Sequence, residues 1–181
     1  MKIKTNFSLL ASLLAYSIIP GLTSCVSASK PTEEIETVTL CEVLAEPKRF
    51  DHKLLKISGT MYHGFEAFAL SDDKCPRNEE IWLEYGGRRG SGTIFAGEPS
   101  AERVRDHSLV IEGLPTSMVY DYPFRKLDAF IRSKRSVHAA VTIEGRYFSG
   151  TPIAPGVYGG YGHLYMFTLL VVQRVDTLRS D

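Results

Sequence analysis

The amino-acid sequence predicts a mainly β fold: a small, strongly bent barrel with one or two short helices, preceded by an N-terminal signal peptide and a flexible spacer. The chain has 181 residues, of which 44% are apolar and 23% charged, and this composition is typical of one globular domain. Several short segments alternate apolar and polar residues, as half-buried strands do. Glycines interrupt two of them, at Gly59 and Gly145, where a bulge or a sharp bend is expected.

Residues 1–24 have the composition of a secretory signal peptide rather than of a folded element. Lys2 and Lys4 make the start positive, residues 7–19 are mostly apolar, and Pro20 follows them. The apolar run is shorter than the stretch of about 20 residues that crosses a bilayer. We therefore expect this segment to direct export and then to be removed.

The residues before Cys25 resemble a bacterial lipobox, because an aliphatic residue and two small residues, Leu22, Thr23 and Ser24, directly precede the cysteine. The resemblance implies that Cys25 becomes a lipidated N-terminus after cleavage. One acyl chain anchors only weakly, so a stable anchor implies multiple acylation. By analogy with lipoprotein sorting in Gram-negative bacteria, Val26 favours the outer membrane, facing the periplasm. The alternative is an ordinary signal peptide that is cut nearby.

The rest of the chain is interpreted as a tethered domain. Residues 25–37 are small, polar and charged, which is typical of a flexible tether. The folded domain is expected over residues 38–176 and a polar tail over 177–181. Lys and Arg number 21, as do Asp and Glu, so the net charge is zero. This balance argues against a broad basic coat, and we expect no nucleic-acid partner.

Cys41 and Cys75 remain after Cys25 is assigned to lipid. In an exported protein an even pair of cysteines usually forms a disulfide. A catalytic or metal-binding pair is the other interpretation, but neither cysteine lies in a CxxC motif and no histidine stands at ligand spacing from them. We expect the structural bridge.

The first half of the domain begins with a helix and continues with strands. Thr39 and Glu42 match the capping box S/T-x-x-E, which predicts a short helix over residues 40–46 that ends before Pro47. Apolar patterning predicts three strands, over residues 53–62, 65–70 and 81–85. A loop rich in glycine and arginine is predicted to follow them, over residues 86–97.

The second half contains a longer helix. Asp121 is a suitable N-cap and Pro123 suits the first turn, so a helix is predicted over residues 122–133. Strands and a long Gly/Pro loop are predicted around it: a strand over 108–112, a strand over 137–144, the loop over 149–162 and a last strand over 163–175. Five basic residues follow the helix surface, and we interpret them as a solvated face, with anion binding as the alternative: Arg125, Lys126, Arg132, Lys134 and Arg135.

A helix before the last two strands resembles the OB-fold, a five-stranded barrel with a helix between its third and fourth strands. The domain is also similar to poorly characterised bacterial OB-fold-like exported lipoproteins. The segments that carry this resemblance are 54–59 (LLKISG), 65–75, 81–83 (IWL), 141–148 (VTIEGRYF) and 160–164 (GYGHL). The resemblance implies a fold and no activity, because OB-folds host unrelated functions.

The candidate ligand-binding residues are Tyr158, Tyr161 and His163, in the loop YGGYGH, and Arg146 on the neighbouring barrel face. Aromatic side chains on a glycine-rich backbone can stack on a sugar or a base. The glycines can equally serve to turn the chain into its last strand. We expect no cofactor and no metal, because the histidines form no i,i+4 pair and no HExxH motif.

These features predict a membrane-anchored envelope lipoprotein that acts as a non-enzymatic binding or interaction module. Its expected partners are the membrane, through the lipid anchor, and an envelope protein or glycan. The alternative is an envelope hydrolase whose site is assembled from scattered residues, for instance His63, His163 and an acidic loop residue. A structural lipoprotein without a small ligand is the third hypothesis.

Overall fold

A computed structural model describes residues 33–75, 79–95, 98–99 and 104–180. The predicted signal peptide, the lipidation site Cys25 and most of the predicted tether lie outside the described residues. Within the described ranges no helix is both long and apolar enough to cross a membrane.

The helices are α1 (Leu40–Ala45), α2 (Pro47–Phe50) and α3 (Tyr122–Ser133). The strands are β1 (Ile35–Thr37), β2 (Leu54–His63), β3 (Phe68–Ser71), β4 (Ile81–Tyr85), β5 (Ile94–Phe95), β6 (Glu98–Pro99), β7 (Val110–Ile111), β8 (Leu114–Pro115), β9 (Val137–Phe148), β10 (Thr151–Ala154), β11 (Val157–Gly159) and β12 (Thr168–Arg179). A 3₁₀ turn, His163–Tyr165, precedes the last strand.

Five of these strands close into a barrel. β2, β3 and β4 form an antiparallel meander, β4 runs parallel to β12, and β12 pairs antiparallel with β9. β9 then pairs back with β2 and closes the barrel, while β1 extends it as a parallel strand beside β2. With α3 between the third and fourth barrel strands, this is the predicted OB-like arrangement, and the prediction is confirmed.

The main core fills the barrel because its strands keep a period of two. On β9 the side chains of Val137, Ala139, Val141 and Ile143 are buried, and the residues between them face outward. Burying a valine or isoleucine side chain contributes about 1.5–3 kcal/mol. The helix α3 adds Phe124, Leu127 and Ile131 to the same core.

The predicted helix start signals are both present. Asp121 caps α3 by accepting the backbone N–H of Phe124 at 3.1 Å. At α1, the Thr39 hydroxyl accepts the N–H of Glu42 at 3.2 Å, and the Glu42 carboxylate accepts the N–H of Thr39 at 2.8 Å. The hydrogen bond from the backbone N–H of Thr39 lowers the pKa of the Glu42 carboxyl group.

The disulfide between Cys41 and Cys75 is confirmed, with the two Cα atoms 5.1 Å apart. It joins α1 to the segment that follows β3. Cys75 is buried and both cysteines contact the main core, so the bridge fastens the short helix to the barrel.

The glycines within the strands permit close backbone approach. At Gly145 a Cβ atom would lie 2.4 Å from the carbonyl oxygen of Val171, and at Gly59 it would lie 2.7 Å from that of Ser71. The pairing of β2 with β9 continues without a register shift past Gly59, so the bulge expected there is absent from this ladder. The glycines are needed because neighbouring strands leave no room for a side chain.

Several predicted boundaries are wrong. Residues 35–37, assigned to the tether, form β1, because their backbone pairs with β2. Residues 177–179, assigned to the tail, continue β12, because it pairs with β9 up to Arg179. The last strand begins at Thr168 rather than at residue 163, and the predicted loop 149–162 contains the hairpin β10–β11. Likewise, the strand predicted over 108–112 is reduced to the short hairpin β7–β8.

A second, smaller core lies on the outer side of the barrel sheet. Trp82 is its centre and is almost completely buried. Residues of β9, β12, the β7–β8 hairpin and the loop before β12 surround it, namely Phe148, Leu169, Val171, Leu109, Ile111 and Tyr161. This cluster fixes the hairpin and the loop against the barrel, and the loop forms part of the candidate site.

Candidate functional site

An open groove of about 780 Å³ lies between the disulfide-linked helix α1 and the chain before β12. Its volume falls in the range of roughly 300–1,000 Å³ that is usual for ligand sites. One wall carries the disulfide and the apolar residues Leu44, Ala45 and Pro47, and the opposite wall carries Val157, Tyr158, Leu164, Met166 and Phe167. The acidic residues Glu79 and Glu80 and the histidine His163 also line it.

The loop wall is held in a constrained backbone conformation. Gly162, Leu164 and Tyr165 have φ values of 68°, 56° and 57°, in the left-handed region that non-glycine residues rarely adopt. The N–H of Gly160 donates to the carbonyl of Tyr165 at 2.8 Å, which closes the loop. At Gly162 a Cβ atom would lie 2.5 Å from the Trp82 ring, so only glycine fits against the outer core. We call residues 160–167 the strained loop.

The strained loop presents apolar side chains to solvent at the edge of the groove. Leu164 is 69% exposed, Met166 58% and Tyr165 52%. On the neighbouring β2–β3 turn, Phe65 is 88% exposed, and the adjacent Glu66 carboxylate lies 3.8 Å from Nδ1 of His163. Large apolar side chains that are exposed together indicate an interaction surface.

Two of the four predicted ligand-binding residues, Tyr158 and His163, line this groove. The ammonium of Lys48 lies 5.2 Å from the centre of the Tyr158 ring. Lys48 also donates to the carboxylate of Asp51 at 3.1 Å and to the carbonyl of Gly150 at 3.0 Å. The sequence therefore pointed to part of the groove, although it could not place the opposite wall.

The other two predicted residues lie outside the groove lining. The Arg146 guanidinium donates to the Glu33 carboxylate at 2.7 Å and to the backbone carbonyl of His52 at 2.6 Å. The Tyr161 hydroxyl donates to Glu112 at 2.6 Å. Burial and this hydrogen bond both raise the pKa of Tyr161. Both side chains have structural contacts, and ligand binding by either one stays a prediction.

A cluster that the sequence did not reveal joins His52, Glu112 and Tyr161. One Glu112 oxygen accepts the Tyr161 hydroxyl, and the other lies 2.6 Å from His52 Nε2. His52 and Glu112 also have positive φ, at 65° and 49°. Non-glycine residues in this conformation are strained, and such strain concentrates at functional sites. The three residues are far apart in sequence, so no motif could have indicated their meeting.

A second cluster that no sequence motif indicates surrounds Glu84, whose side chain is fully buried on β4. Its carboxylate accepts hydrogen bonds from Arg105, Ser91 and the backbone N–H of Tyr85. Arg105 also donates to three backbone carbonyls, those of residues 85, 87 and 89. This cluster orders residues 85–91, at the start of the loop that was predicted over 86–97, and we assign it a structural role.

The basic stripe predicted on α3 is partly neutralised within the chain. Arg132 donates to Asp128 at 3.0 Å through Nε, and Asp128 also accepts Arg89 at 2.7 Å. Arg125 donates to the backbone carbonyl of Tyr120 at 3.0 Å. Two of the five stripe residues are thus engaged by groups of the domain itself.

The structure gives the two histidines named for a hydrolase site different contacts. His63 packs edge-on against Phe68, with ring centres 5.4 Å apart, and His163 has Glu66 at 3.8 Å. No group of three or more His, Cys, Asp or Glu side chains in the described ranges is arranged to hold a metal ion.

Comparisons with protein-family models, with curated proteins and with solved structures find no match to this chain.

Proposed function

We propose that the protein is a lipid-anchored binding module of the bacterial cell envelope, and that the groove between α1 and the strained loop is its binding surface. The observation that carries the proposal is the exposure of Leu164, Tyr165 and Met166 on a constrained loop beside a groove of about 780 Å³. A loop that is ordered before binding loses little conformational entropy when a ligand arrives. Apolar side chains on such a loop therefore suit recognition.

The binding surface can be tested by capture from a cell-envelope extract. A Leu164→Ser, Met166→Ser double variant removes two exposed apolar groups that line the groove. Val119→Ser is the matched control, because Val119 is also exposed and lies outside the groove lining. We expect the unaltered protein and the control to retain the same envelope component after cross-linking, and the double variant to lose it. Equal capture by all three proteins would contradict the proposal.

The lipid anchor rests on the lipobox before Cys25 and has its own test. Globomycin blocks the cleavage of lipoprotein signal peptides, so treated cells are expected to accumulate a longer, uncleaved precursor. Cys25→Ser is expected to move the protein from the membrane fraction to the soluble fraction, since the acylated side chain is lost. Normal processing in the presence of globomycin would reject the anchor, and the location argument with it.

The contact between His52 and Glu112 favours the alternative proposal of an envelope hydrolase. A carboxylate that orients a histidine is one half of a general-base site. If the cluster acts in this way, His52→Ala abolishes the hydrolysis of a generic ester such as p-nitrophenyl acetate, whereas His107→Ala, at an exposed position, leaves it unchanged. Equal hydrolysis by both variants would reject the alternative.

A further inference from the structure

Glu80 is a charged residue in an apolar setting at the groove. It is half-buried, lines the groove, and precedes the fully buried start of β4 at Ile81. Burial alone raises the pKa of its carboxyl group. Within the described part of the chain, the Glu80 carboxylate makes no hydrogen bond and no ion pair. A carboxylate removed from water without a partner raises the free energy of the folded protein.

Two basic groups at or near the groove, His163 and Lys48, are engaged by other partners. Lys48 is held by Asp51 and by the carbonyl of Gly150, at 3.1 and 3.0 Å. The imidazole of His163 faces Glu66 rather than Glu80. Neither of these two groups pairs with Glu80, so its carboxylate is open to a charged group of a bound segment.

We infer that the groove binds a basic peptide segment of a partner protein, with a lysine or arginine paired to Glu80 and neighbouring apolar side chains packed on the groove walls. This inference rests on the proposed function and names the partner for the same site. The walls supply the apolar contacts through Leu44, Val157 and Phe167. The carboxylate supplies one charged contact that fixes the position of the segment along the groove.

The shape of the groove favours an extended chain over an enclosed small molecule. The groove is open to solvent, and its apolar surface continues onto Leu164 and Met166 of the strained loop. An extended peptide can place one side chain at Glu80 and others on this continuing surface. Met166 suits such contacts, because an unbranched thioether adapts to side chains of different shape.

The charge requirement can be tested with three fluorescent hexapeptides and the purified protein. Dansyl-Leu-Lys-Leu-Leu-Lys-Leu is compared with versions that carry glutamine or glutamate in place of lysine. We expect the lysine peptide to bind about tenfold more tightly than the glutamine peptide, as measured by fluorescence anisotropy. Glu80→Gln is expected to remove this preference. Asp106→Asn removes the same charge from an exposed position outside the groove lining, and it should leave the preference unchanged.

The outcomes separate the inference from the proposed function. Val157→Ser lowers the apolar character of the wall and should weaken all three peptides. If Val157→Ser loses binding but the unaltered protein shows no preference for the lysine peptide, the groove is still the binding surface, and the inference of a basic partner is rejected. A lysine preference that survives in Glu80→Gln, or binding of no peptide, would also overturn the inference.

Thermal melts of the variants test whether a loss of binding comes from misfolding. Because burial raises the pKa of Glu80, its charged form destabilises the folded state at neutral pH. Glu80→Gln should therefore melt at a higher temperature than the unaltered protein at pH 7. The gain should disappear below about pH 4, where the carboxyl group is protonated in both the folded and the unfolded chain. Lower stability of Glu80→Gln at pH 7 would contradict the assignment of Glu80 as an unbalanced charge.

Discussion

Replacing Glu84 with glutamine tests whether the buried cluster beside β4 holds the adjoining loop. The carboxylate is fully buried and accepts hydrogen bonds of 2.8 Å from Arg105 Nη2, 2.8 Å from the backbone of Tyr85, and 2.9 and 2.8 Å from the N–H and hydroxyl of Ser91. Glutamine keeps the shape, but it removes the charge and places an NH₂ group opposite hydrogen-bond donors. Removing one partner of a buried ion pair lowers the free energy of unfolding by about 3–5 kcal/mol.

We expect the lower end of that range, about 3 kcal/mol, because Arg105 keeps its bonds to backbone carbonyls. For a domain of this size the loss corresponds to a fall in Tm of roughly 6–12 °C. Urea unfolding can be followed through Trp82, which is the only tryptophan of the chain and is buried. Glu34→Gln, at an exposed position, is the matched control and should be neutral.

A double-mutant cycle separates the ion pair from general damage to the core. If Glu84 and Arg105 interact as the 2.8 Å contact indicates, Glu84→Gln combined with Arg105→Gln costs less than the sum of the two single losses. Additive losses, or a change below about 1 kcal/mol in Glu84→Gln, would refute the proposed role of this cluster.

Three further predictions concern the elements around the groove. Replacing Cys41 and Cys75 together with serine should lower the free energy of unfolding by about 3–4 kcal/mol, since the bridge spans 34 residues; an unchanged urea midpoint would contradict this. Glu112→Gln should cost about 1 kcal/mol, because its bonds to neighbouring residues are partly exposed to water; the loss is measured by urea unfolding, and a neutral result would contradict it. Gly162→Ala should cost about 1–3 kcal/mol through backbone strain and contact with the Trp82 ring; unchanged Trp82 fluorescence and stability would contradict this.

The barrel could be predicted because its strands and helices carry local signals. The alternation of apolar residues over 137–144 marks a strand with one buried face, and the structure extends it to Phe148. Thr39 with Glu42, and Asp121 with Pro123, mark the starts of α1 and α3 correctly. Such signals depend on residues a few positions apart, and they survive in the folded chain.

Boundaries were less predictable where tertiary pairing decides them. Residues 35–37 are polar enough to suggest a tether, yet they pair with residues 54–56 of β2, a part of that strand that β3 does not cover. Residues 163–165 look like the start of the apolar last strand, but the turn at Gly162 against Trp82 delays β12 to Thr168. Neither effect is visible in local composition.

The groove itself could be predicted only in part, because its walls come from segments far apart in the chain. The aromatic, glycine-rich loop pointed to Tyr158 and His163, and the disulfide prediction identified Cys41 and Cys75. What the sequence could not give is that these two features face each other across one groove. Glu80 was visible only as one member of an acidic pair, and its half-buried position depends on the folded wall beside it.

The strained loop and Glu80 support one argument about what the groove is for. Leu164 and Tyr165 hold left-handed backbone conformations, which raise the free energy of the folded state, and they leave apolar side chains in contact with water. Glu80 adds a carboxylate whose charge is left unbalanced within the described residues. A bound segment with apolar and basic side chains covers the exposed apolar surface and balances the charge of Glu80. Since the strained loop, the apolar surface and this charge meet at one groove, a binding role explains them better than a purely structural one does.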